Sequence, residues 1–352
     1  MMANTVTIGG VPEGFDADII LRQMQRDGRP LMHIARDDKR LAAFAEAVRF
    51  FAPDMPVIEF PAWDCLPYDR VSPNADISAR RMATLAGLVH GMPKQFILLT
   101  TLNAAMQRLP ARQVLRDAAF RAEVGRPIDE EALRSFLVRM GFSKAPTVLE
   151  PGDYAIRGGI IDIYPPGDLG PIRLDLFGDV LDGARRFDPV SQRTTETLSE
   201  IELSPVSEVI LDEAAITRFR QNYRSEFGAA RSDDPLYESI SAGQKVQGFE
   251  HWLPFFHAHL ESLFDYLPEV CVSFDDQLEP ARLARWEGIE DQYETRKLAM
   301  QAKQRLDCPA SLLAMQDGFV IALHFVFQIR RPVQLHFPLL VGRGNLICRL
   351  AV

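Results

Sequence analysis

The chain has 352 residues, of which 47% are hydrophobic and 25% charged, a composition that suits two or three folded domains and excludes a disordered chain. Acidic residues outnumber basic ones by 48 to 39, so no general attraction to nucleic-acid backbones or anionic lipids is expected. The longest apolar run, residues 319–327, is shorter than the roughly 20 residues that cross a bilayer, and the four scattered cysteines fit a reducing cytosol. The sequence therefore predicts a cytoplasmic protein with no membrane contact.

Strands and helices alternate over the first third of the chain. Short apolar runs predict strands at 31–35, 57–60 and 96–100. Apolar residues at helical spacing predict helices at 38–51, 80–89 and 103–109. This alternation is typical of βαβ units on a parallel sheet. Residues 1–115 are therefore predicted to form the first half of an α/β domain.

The pattern changes after residue 115. Asp129 is suited to cap a helix over 130–140. Short strands separated by glycine-rich turns follow at 154–157, 159–164, 172–177 and 180–186. These features predict an inserted α+β domain of antiparallel hairpins at 116–205. A helix at 213–227, a strand at 270–274 and a long helix at 277–303 predict that residues 206–306 complete the α/β domain.

An α/β start raises the question of a phosphate-binding loop, which needs a glycine-rich turn and a lysine that reaches the terminal phosphates. Gly9, Gly10 and Gly14 occupy the place where that loop would lie. The segment has no Lys-Ser or Lys-Thr pair, Pro12 removes one backbone donor, and Glu13 adds a negative charge. We interpret it as a degenerate loop and predict no nucleotide-binding residue and no ATP hydrolysis by this chain.

Other residues that often carry chemistry favour packing here. His251, His257 and His259 suggest a metal site, but 257 and 259 would point to different faces of a helix, and a strand offers no third ligand. Histidines packed beside aromatic neighbours are the favoured interpretation. No Ser/His/Asp or Cys/His set can be nominated, so no catalytic residue and no metal ligand is predicted.

Two segments suggest more than packing. Residues 60–74 place prolines and aromatic residues in a rigid connection between a strand and a helix. Within residues 150–179, strand periodicity projects Arg157 and Arg173 from one sheet surface with Phe177 nearby. Arginine and aromatic side chains concentrate binding energy in protein interfaces. A docking surface and an ordinary solvated sheet face are equally compatible with this pattern.

These segments resemble the N-terminal region of the bacterial transcription-repair coupling factors, a region similar in fold to the excision-repair protein UvrB. The resemblance runs from about residue 10 to about residue 300 through several ordered motifs: FPAWDCLPYDRVSP, EPGDYAIRGGIIDIYPPG, RLDLFGD and RFDPVSQRT. It implies a degenerate, discontinuous RecA-like parallel-sheet domain that binds no ATP, with an inserted α+β UvrB-type interaction domain.

The resemblance also implies a function and a site. The inserted domain would dock onto the damage-recognition protein UvrA, and the contact positions of the family fall on Arg157, Arg173 and Phe177. The expected role is recruitment of UvrA in transcription-coupled nucleotide-excision repair, without catalysis and without a cofactor. ATP would belong only to the motor of full-length members of the family.

Two departures from the family pattern limit this expectation. Full-length members continue into an RNA-polymerase-binding domain and an ATP-driven translocase, so contact with RNA polymerase and translocation are not expected of this chain. Residues 307–352 stop resembling the family, and residues 301–352 carry a net charge of +4, which leaves −13 for residues 1–300.

That acidic balance predicts weak DNA binding, with Arg80 and Arg81 as a local patch for phosphate. Two alternative functions stay open at this point. The chain could be a stand-alone UvrB-type ATP-dependent helicase or ATPase, or it could be a non-functional gene remnant.

Overall fold

The structure is a computed structural model that describes residues 5–69, 71–228, 234–275, 277–301 and 346–351. The strands are β1 (Thr5–Val11), β2 (Leu31–Ala35), β3 (Val57–Phe60), β4 (Ile97–Thr101), β5 (Leu109–Pro110), β6 (Phe120–Glu123), β7 (Ser143–Lys144), β8 (Asp153–Arg157), β9 (Ile160–Ile163), β10 (Ile172–Phe177), β11 (Val180–Phe187), β12 (Thr194–Leu198), β13 (Glu200–Leu203), β14 (Leu260–Glu261), β15 (Cys271–Phe274) and β16 (Leu346–Ala351). The α-helices are α1 (Phe15–Asp27), α2 (Asp38–Phe51), α3 (Ala75–His90), α4 (Leu102–Ala105), α5 (Arg112–Asp117), α6 (Glu130–Arg139), α7 (Glu213–Phe227), α8 (Pro235–Ser241), α9 (Leu253–Phe256), α10 (Leu263–Tyr266) and α11 (Leu278–Gln301), and a short 3-10 helix spans Phe249–Trp252.

The chain forms two compact units. Unit 1 consists of Met1–Ala62, Gly91–Leu109 and Glu261–Val352, and unit 2 consists of Trp63–His90 and Pro110–Leu260. The predicted domain boundaries, after residues 115, 205 and 306, stay predictions, because the packing of compact units does not decide where one domain was inserted into another.

The sheet of unit 1 has six strands within the described residues, in the order β1-β16-β15-β2-β4-β3. Strands β15, β2, β4 and β3 are parallel neighbours, which confirms the predicted parallel sheet. Every residue of β2 and β4 is buried, as expected for parallel strands that are covered on both faces. Helices α1 and α2 contribute Ile20, Met24, Phe44 and Val48 to the core on one face.

The C-terminal segment adds a strand to this sheet. Strand β16 lies between β1 and β15 and is antiparallel to both. It belongs to the tail at 307–352 for which the sequence predicted no family resemblance. The other calls on that tail, including the apolar run at 319–327, lie outside the described residues.

Unit 2 contains the predicted antiparallel hairpins. Its larger sheet has the order β12-β11-β10-β9-β8-β7, and all neighbours are antiparallel except β7 and β8. Helix α6 covers one side of this sheet, where Leu133, Phe136 and Leu137 join a core that includes Ile161 and Leu174. Helix α6 therefore does not cover the opposite side of this sheet.

Local signals fixed several element ends correctly. The side chain of Asp129 accepts a hydrogen bond of 2.9 Å from the backbone N–H of Ala132, which confirms it as the N-cap of α6. Two predicted helices had wrong limits. Helix α3 begins at Ala75 rather than at residue 80, and the helix predicted over 103–109 ends at Ala105, ahead of the short strand that contains Pro110.

In the described parts of the chain, no helix combines the length and the apolarity that a membrane crossing requires.

Candidate protein-docking surface

One side of the larger sheet in unit 2 carries the three residues that the sequence nominated. Along β10, Ile172 and Leu174 point into the core, so the alternation of a strand sends Arg173 and Phe177 to the opposite side. Arg157 in β8 likewise follows Ile156, which is partly buried and packs against this core. We call this side the outer face and use the term for the surface around Arg157, Asp162, Arg173, Asp175 and Phe177.

Asp162 brings the two nominated arginines together. It lies directly opposite Arg173 in the register of β9 and β10. Arg173 donates from Nε to Asp162 Oδ1 over 2.7 Å and from Nη2 to Asp162 Oδ2 over 2.8 Å. Nη2 of Arg157 lies 3.9 Å from the same Oδ2 atom. Asp162 itself is only 2% exposed, so the two guanidinium groups share one covered carboxylate.

Arg173 is held by two further neighbours. Its Nη2 also donates to Gln192 Oε1 over 3.0 Å, and its guanidinium carbon lies 4.5 Å from the centroid of the Phe187 ring. The hydrogen bonds to Asp162 raise the pKa of Arg173 above its usual value. Nη1 is not buried and donates to none of the described residues, so it is the edge of Arg173 that a partner can reach.

Arg157 and Phe177 are more open than Arg173. The Arg157 side chain is 53% exposed, and its one hydrogen bond to the described residues runs from Nη2 to the carbonyl oxygen of Pro146 over 3.2 Å. Phe177 is 80% exposed at the end of β10. The next residue, Gly178, has a φ of 63°, which a glycine adopts without strain, and the chain then turns into β11. Phe177 therefore presents an exposed aromatic ring at a hairpin tip, on the same face of the sheet as the two arginines.

A second arginine on the outer face is also paired with a carboxylate. Arg185 lies opposite Arg173 in the register of β10 and β11, and its Nη2 donates to Asp175 Oδ2 over 2.6 Å. Sequence reasoning missed Asp162, Gln192 and Phe187 as neighbours of Arg173. The available signal was the charge of Asp162 inside the otherwise apolar strand Ile160–Ile163.

The second distinctive segment, residues 60–74, contributes to a buried polar cluster in unit 2. Trp63 Nε1 donates to Glu208 Oε1 over 2.9 Å. The fully buried Arg81 makes two hydrogen bonds to the Glu208 carboxylate, of 2.7 and 3.2 Å. The predicted phosphate patch at Arg80 and Arg81 is therefore wrong for Arg81, because a carboxylate already holds its guanidinium inside the fold.

His251, His257 and Cys65 of unit 2 lie in packed surroundings. His257 is buried, and its Nε2 lies 2.9 Å from the carbonyl oxygen of Glu208, while His251 is buried beside Trp63. The packed interpretation is confirmed for these two, whereas His259 is exposed. Sγ of Cys65 lies 3.7 Å from His251 Nε2, but burial raises the pKa of Cys65 to about 12, so its thiolate is scarce at neutral pH.

The glycine-rich connection lies in unit 1. Gly9 and Gly10 belong to β1, and Gly14, with a φ of 88°, is the N-cap residue of α1. Asp16, in the first turn of α1, is buried and forms an ion pair with Nη2 of Arg40. Arg40 also donates from Nε to Asp275 Oδ1 over 3.0 Å. The start of α1 therefore faces an arginine that is already shared by two carboxylates.

Comparison with known proteins identifies the kind of domain that bears the outer face. Residues 120–208 match the family model of the UvrB interaction domain, and this range includes all of the outer face. The chain therefore contains a UvrB interaction domain.

Longer matches extend over most of the chain. It is 33% identical over 293 residues to the transcription-repair-coupling factor of Haemophilus influenzae, a match that covers 83% of this chain and 25% of that protein. The corresponding protein of Escherichia coli is 34% identical over 253 residues (72% of this chain, 22% of that protein), and that of Myxococcus xanthus is 35% identical over 302 residues (80% and 24%). The chain is thus homologous to the transcription-repair coupling factors over about four-fifths of its length, and it spans about a quarter of the length of these relatives.

Proposed function

We propose that this chain recruits UvrA through the outer face of its UvrB interaction domain, as part of transcription-coupled nucleotide-excision repair. The domain match supports the kind of partner, and the homology to transcription-repair coupling factors supports the process. The observation that carries the proposal is the placement of Arg157 and Arg173 around Asp162, on the side of the sheet that also presents the exposed Phe177.

The proposed contact is a docking reaction without bond chemistry. Nη1 of Arg173 and the guanidinium of Arg157 would donate charge-assisted hydrogen bonds to acidic groups of UvrA, which are about twice as strong as neutral ones. Phe177 would fill an apolar site on UvrA. Exposed as it is on this chain alone, the ring loses contact with water only when a partner covers it, so its burial contributes to binding rather than to folding.

Unit 1 has a supporting role in this proposal, as a degenerate RecA-like domain that binds no nucleotide. In open α/β sheets, ligands bind outside the carboxyl ends of the parallel strands. Asp275 directly follows β15 at that edge, and with Asp16 it holds Arg40. The one buried cation at this edge among the described residues is therefore already paired with two carboxylates and is not available to the phosphates of a nucleotide. A titration with ATP tests this part, and saturable binding at micromolar concentration would overturn it.

Direct binding to DNA is proposed to be weak. Arg81 is buried against Glu208, and Nε of Arg80 lies 3.0 Å from Asp76 Oδ2. Neither cation is left to form a strong phosphate site on a chain whose first 300 residues carry −13.

Binding to purified UvrA tests the main proposal. The full chain and its Arg173→Ala and Phe177→Ala variants would be titrated with UvrA by calorimetry. Phe50→Ala is a matched control, because Phe50 in unit 1 is also 80% exposed. We expect affinity to fall by about 30-fold or more for the two outer-face variants, as for interface hot spots, and to stay unchanged for the control. Wild-type affinity in both outer-face variants would overturn the proposal.

A further inference from the structure

The outer face contains a buried carboxylate that the proposed contact does not touch. Asp162 lies in β9 between Ile161 and Ile163, both of which belong to the core of unit 2. Its carboxylate is turned to the outer face, yet Arg173 and Arg157 leave it only 2% exposed. A partner that docks on this face would meet the arginines and not Asp162.

Burying a carboxylate is unfavourable unless its oxygen atoms are paired. Both oxygens of Asp162 accept hydrogen bonds from Arg173, and Oδ2 also faces Arg157. The two hydrogen bonds that compensate the burial of Asp162 therefore also fix the orientation of Arg173. Nearby, Arg185 on the same face is paired to Asp175, which is much more accessible to water than Asp162.

This pairing decides which atoms of Arg173 a partner can use. Nε and one N–H of Nη2 are directed at Asp162, the second N–H of Nη2 is directed at Gln192, and the ring of Phe187 lies 4.5 Å from the guanidinium carbon. Only Nη1 remains without a partner among the described residues. The guanidinium therefore has one accessible edge and a fixed orientation before any partner arrives.

We infer that Asp162 is a positioning residue for UvrA binding: it fixes the accessible edge of Arg173 and sets the spacing between Arg173 and Arg157. This inference rests on the proposed function. An arginine that is already ordered loses less conformational freedom when it binds, and the ordering of one long side chain is worth about tenfold in affinity.

Removal of the Asp162 charge separates positioning from simple electrostatics. If only net charge mattered, the Asp162→Asn variant would carry a more positive outer face and would bind an acidic partner more tightly. If Asp162 positions Arg173, the same variant binds more weakly, because an amide accepts hydrogen bonds at one position only and no longer holds the guanidinium fork. The two accounts predict opposite signs.

The experiment is a titration of the full chain with purified UvrA, with Asp175→Asn as the matched control from the other arginine pair on the same face. We expect Asp162→Asn to weaken binding about tenfold and Asp175→Asn to change it less than twofold. We also expect Asp162→Asn to have no further effect in the Arg173→Ala background, since the two residues act through one interaction. Wild-type or tighter binding by Asp162→Asn, or additive losses in the double variant, would overturn the inference.

Two controls keep the outcome interpretable. Circular dichroism checks that Asp162→Asn is folded at the temperature of the titration. If it is not, Arg173→Lys replaces it, because lysine keeps a cation beside the buried carboxylate but cannot form the two-bond fork with Asp162. We expect about a tenfold loss of affinity, and an unchanged affinity would overturn the inference. Wild-type affinity in Arg173→Ala would instead contradict the proposed function itself, so the two failures are distinguishable.

Discussion

Two arginines, one in each unit, illustrate how the same pairing of residue types serves different ends. Arg40 in unit 1 lies between Asp16 and Asp275, and its side chain is 6% exposed. Arg173 in unit 2 is paired with Asp162 alone, and its side chain is 23% exposed, with Nη1 accessible. Arg40 is buried between two carboxylates, so it stabilises the interior of unit 1. Arg173 is paired with one carboxylate on one edge of its guanidinium, so the opposite edge stays accessible to a partner.

The largest effect on stability is expected when Arg40 is replaced. Arg40→Met leaves Asp16 and Asp275 as buried carboxylates without their cation, which should lower the free energy of unfolding by about 3–5 kcal/mol. Urea unfolding measures this change. Arg185→Met is the matched control for a more exposed pair and should cost about 0–1 kcal/mol. A loss below about 1 kcal/mol for Arg40→Met would contradict the contrast between the two units.

The pH dependence of stability tests whether the interior of unit 1, around Arg40 and Asp275, keeps His33 neutral. His33 is fully buried, stacks on Phe44 at 3.6 Å between ring centroids, and lies 3.8 Å from Asp275. Burial, assisted by the positive charge of Arg40, lowers the pKa of His33 to about 3. Below its unfolded pKa of roughly 6.5, the unfolded chain takes up a proton that folded His33 does not accept, so stability is lost as the pH falls from there toward 3.

From pH 7 to pH 5 this single group should reduce the free energy of unfolding by about 2 kcal/mol. The His33→Gln variant lacks the group, so its loss over the same interval should be smaller than that of the wild type by that amount. His259→Gln, at an exposed histidine, serves as the control with a wild-type pH profile. Parallel profiles for the wild type and His33→Gln would show that His33 is not held neutral.

A smaller effect is expected at the helix that covers the inner side of the unit 2 sheet. Asp129→Ala removes the N-cap of α6 and should lower the free energy of unfolding by about 1 kcal/mol. Asp129→Ser keeps a capping oxygen and should recover most of the loss. If alanine and serine behaved alike in thermal unfolding, the cap would not account for the start of α6.

The smallest effect on stability is expected at Phe177, although its removal is expected to weaken UvrA binding strongly. Phe177→Ala removes a ring that is 80% exposed, so the free energy of unfolding should change by less than about 0.5 kcal/mol. Denaturant unfolding checks this. A loss of several kcal/mol would mean that Phe177 supports the fold, and weaker UvrA binding by this variant could then no longer be read as loss of a contact.

Much of the fold and part of the docking surface could be predicted from the sequence. Strand periodicity placed Arg157, Arg173 and Phe177 on one side of a sheet, because alternate residues of a strand face the same side. The Asp129 cap and the buried parallel strands also followed from local signals. These properties depend on residues close together in the chain.

The pairings that give each arginine its role could not be predicted in this way. The partnership of Arg173 with Asp162 depends on the register between β9 and β10, which periodicity does not determine. Arg40 meets Asp275 across 235 positions of sequence, and Arg81 meets Glu208 across 127. Such distant pairings explain why Arg81 was predicted to be a surface cation and is instead buried.

Site-specific crosslinking shows whether UvrA contacts the outer face at Phe177. A photoreactive phenylalanine analogue would replace Phe177 in one sample and Phe50 in the other, and each full chain would be irradiated with purified UvrA. The two positions are equally exposed, so chance encounters affect both alike. We expect a covalent adduct with UvrA from position 177 and none above background from position 50. An adduct from position 50 alone, or equal yields from both positions, would contradict docking through the outer face.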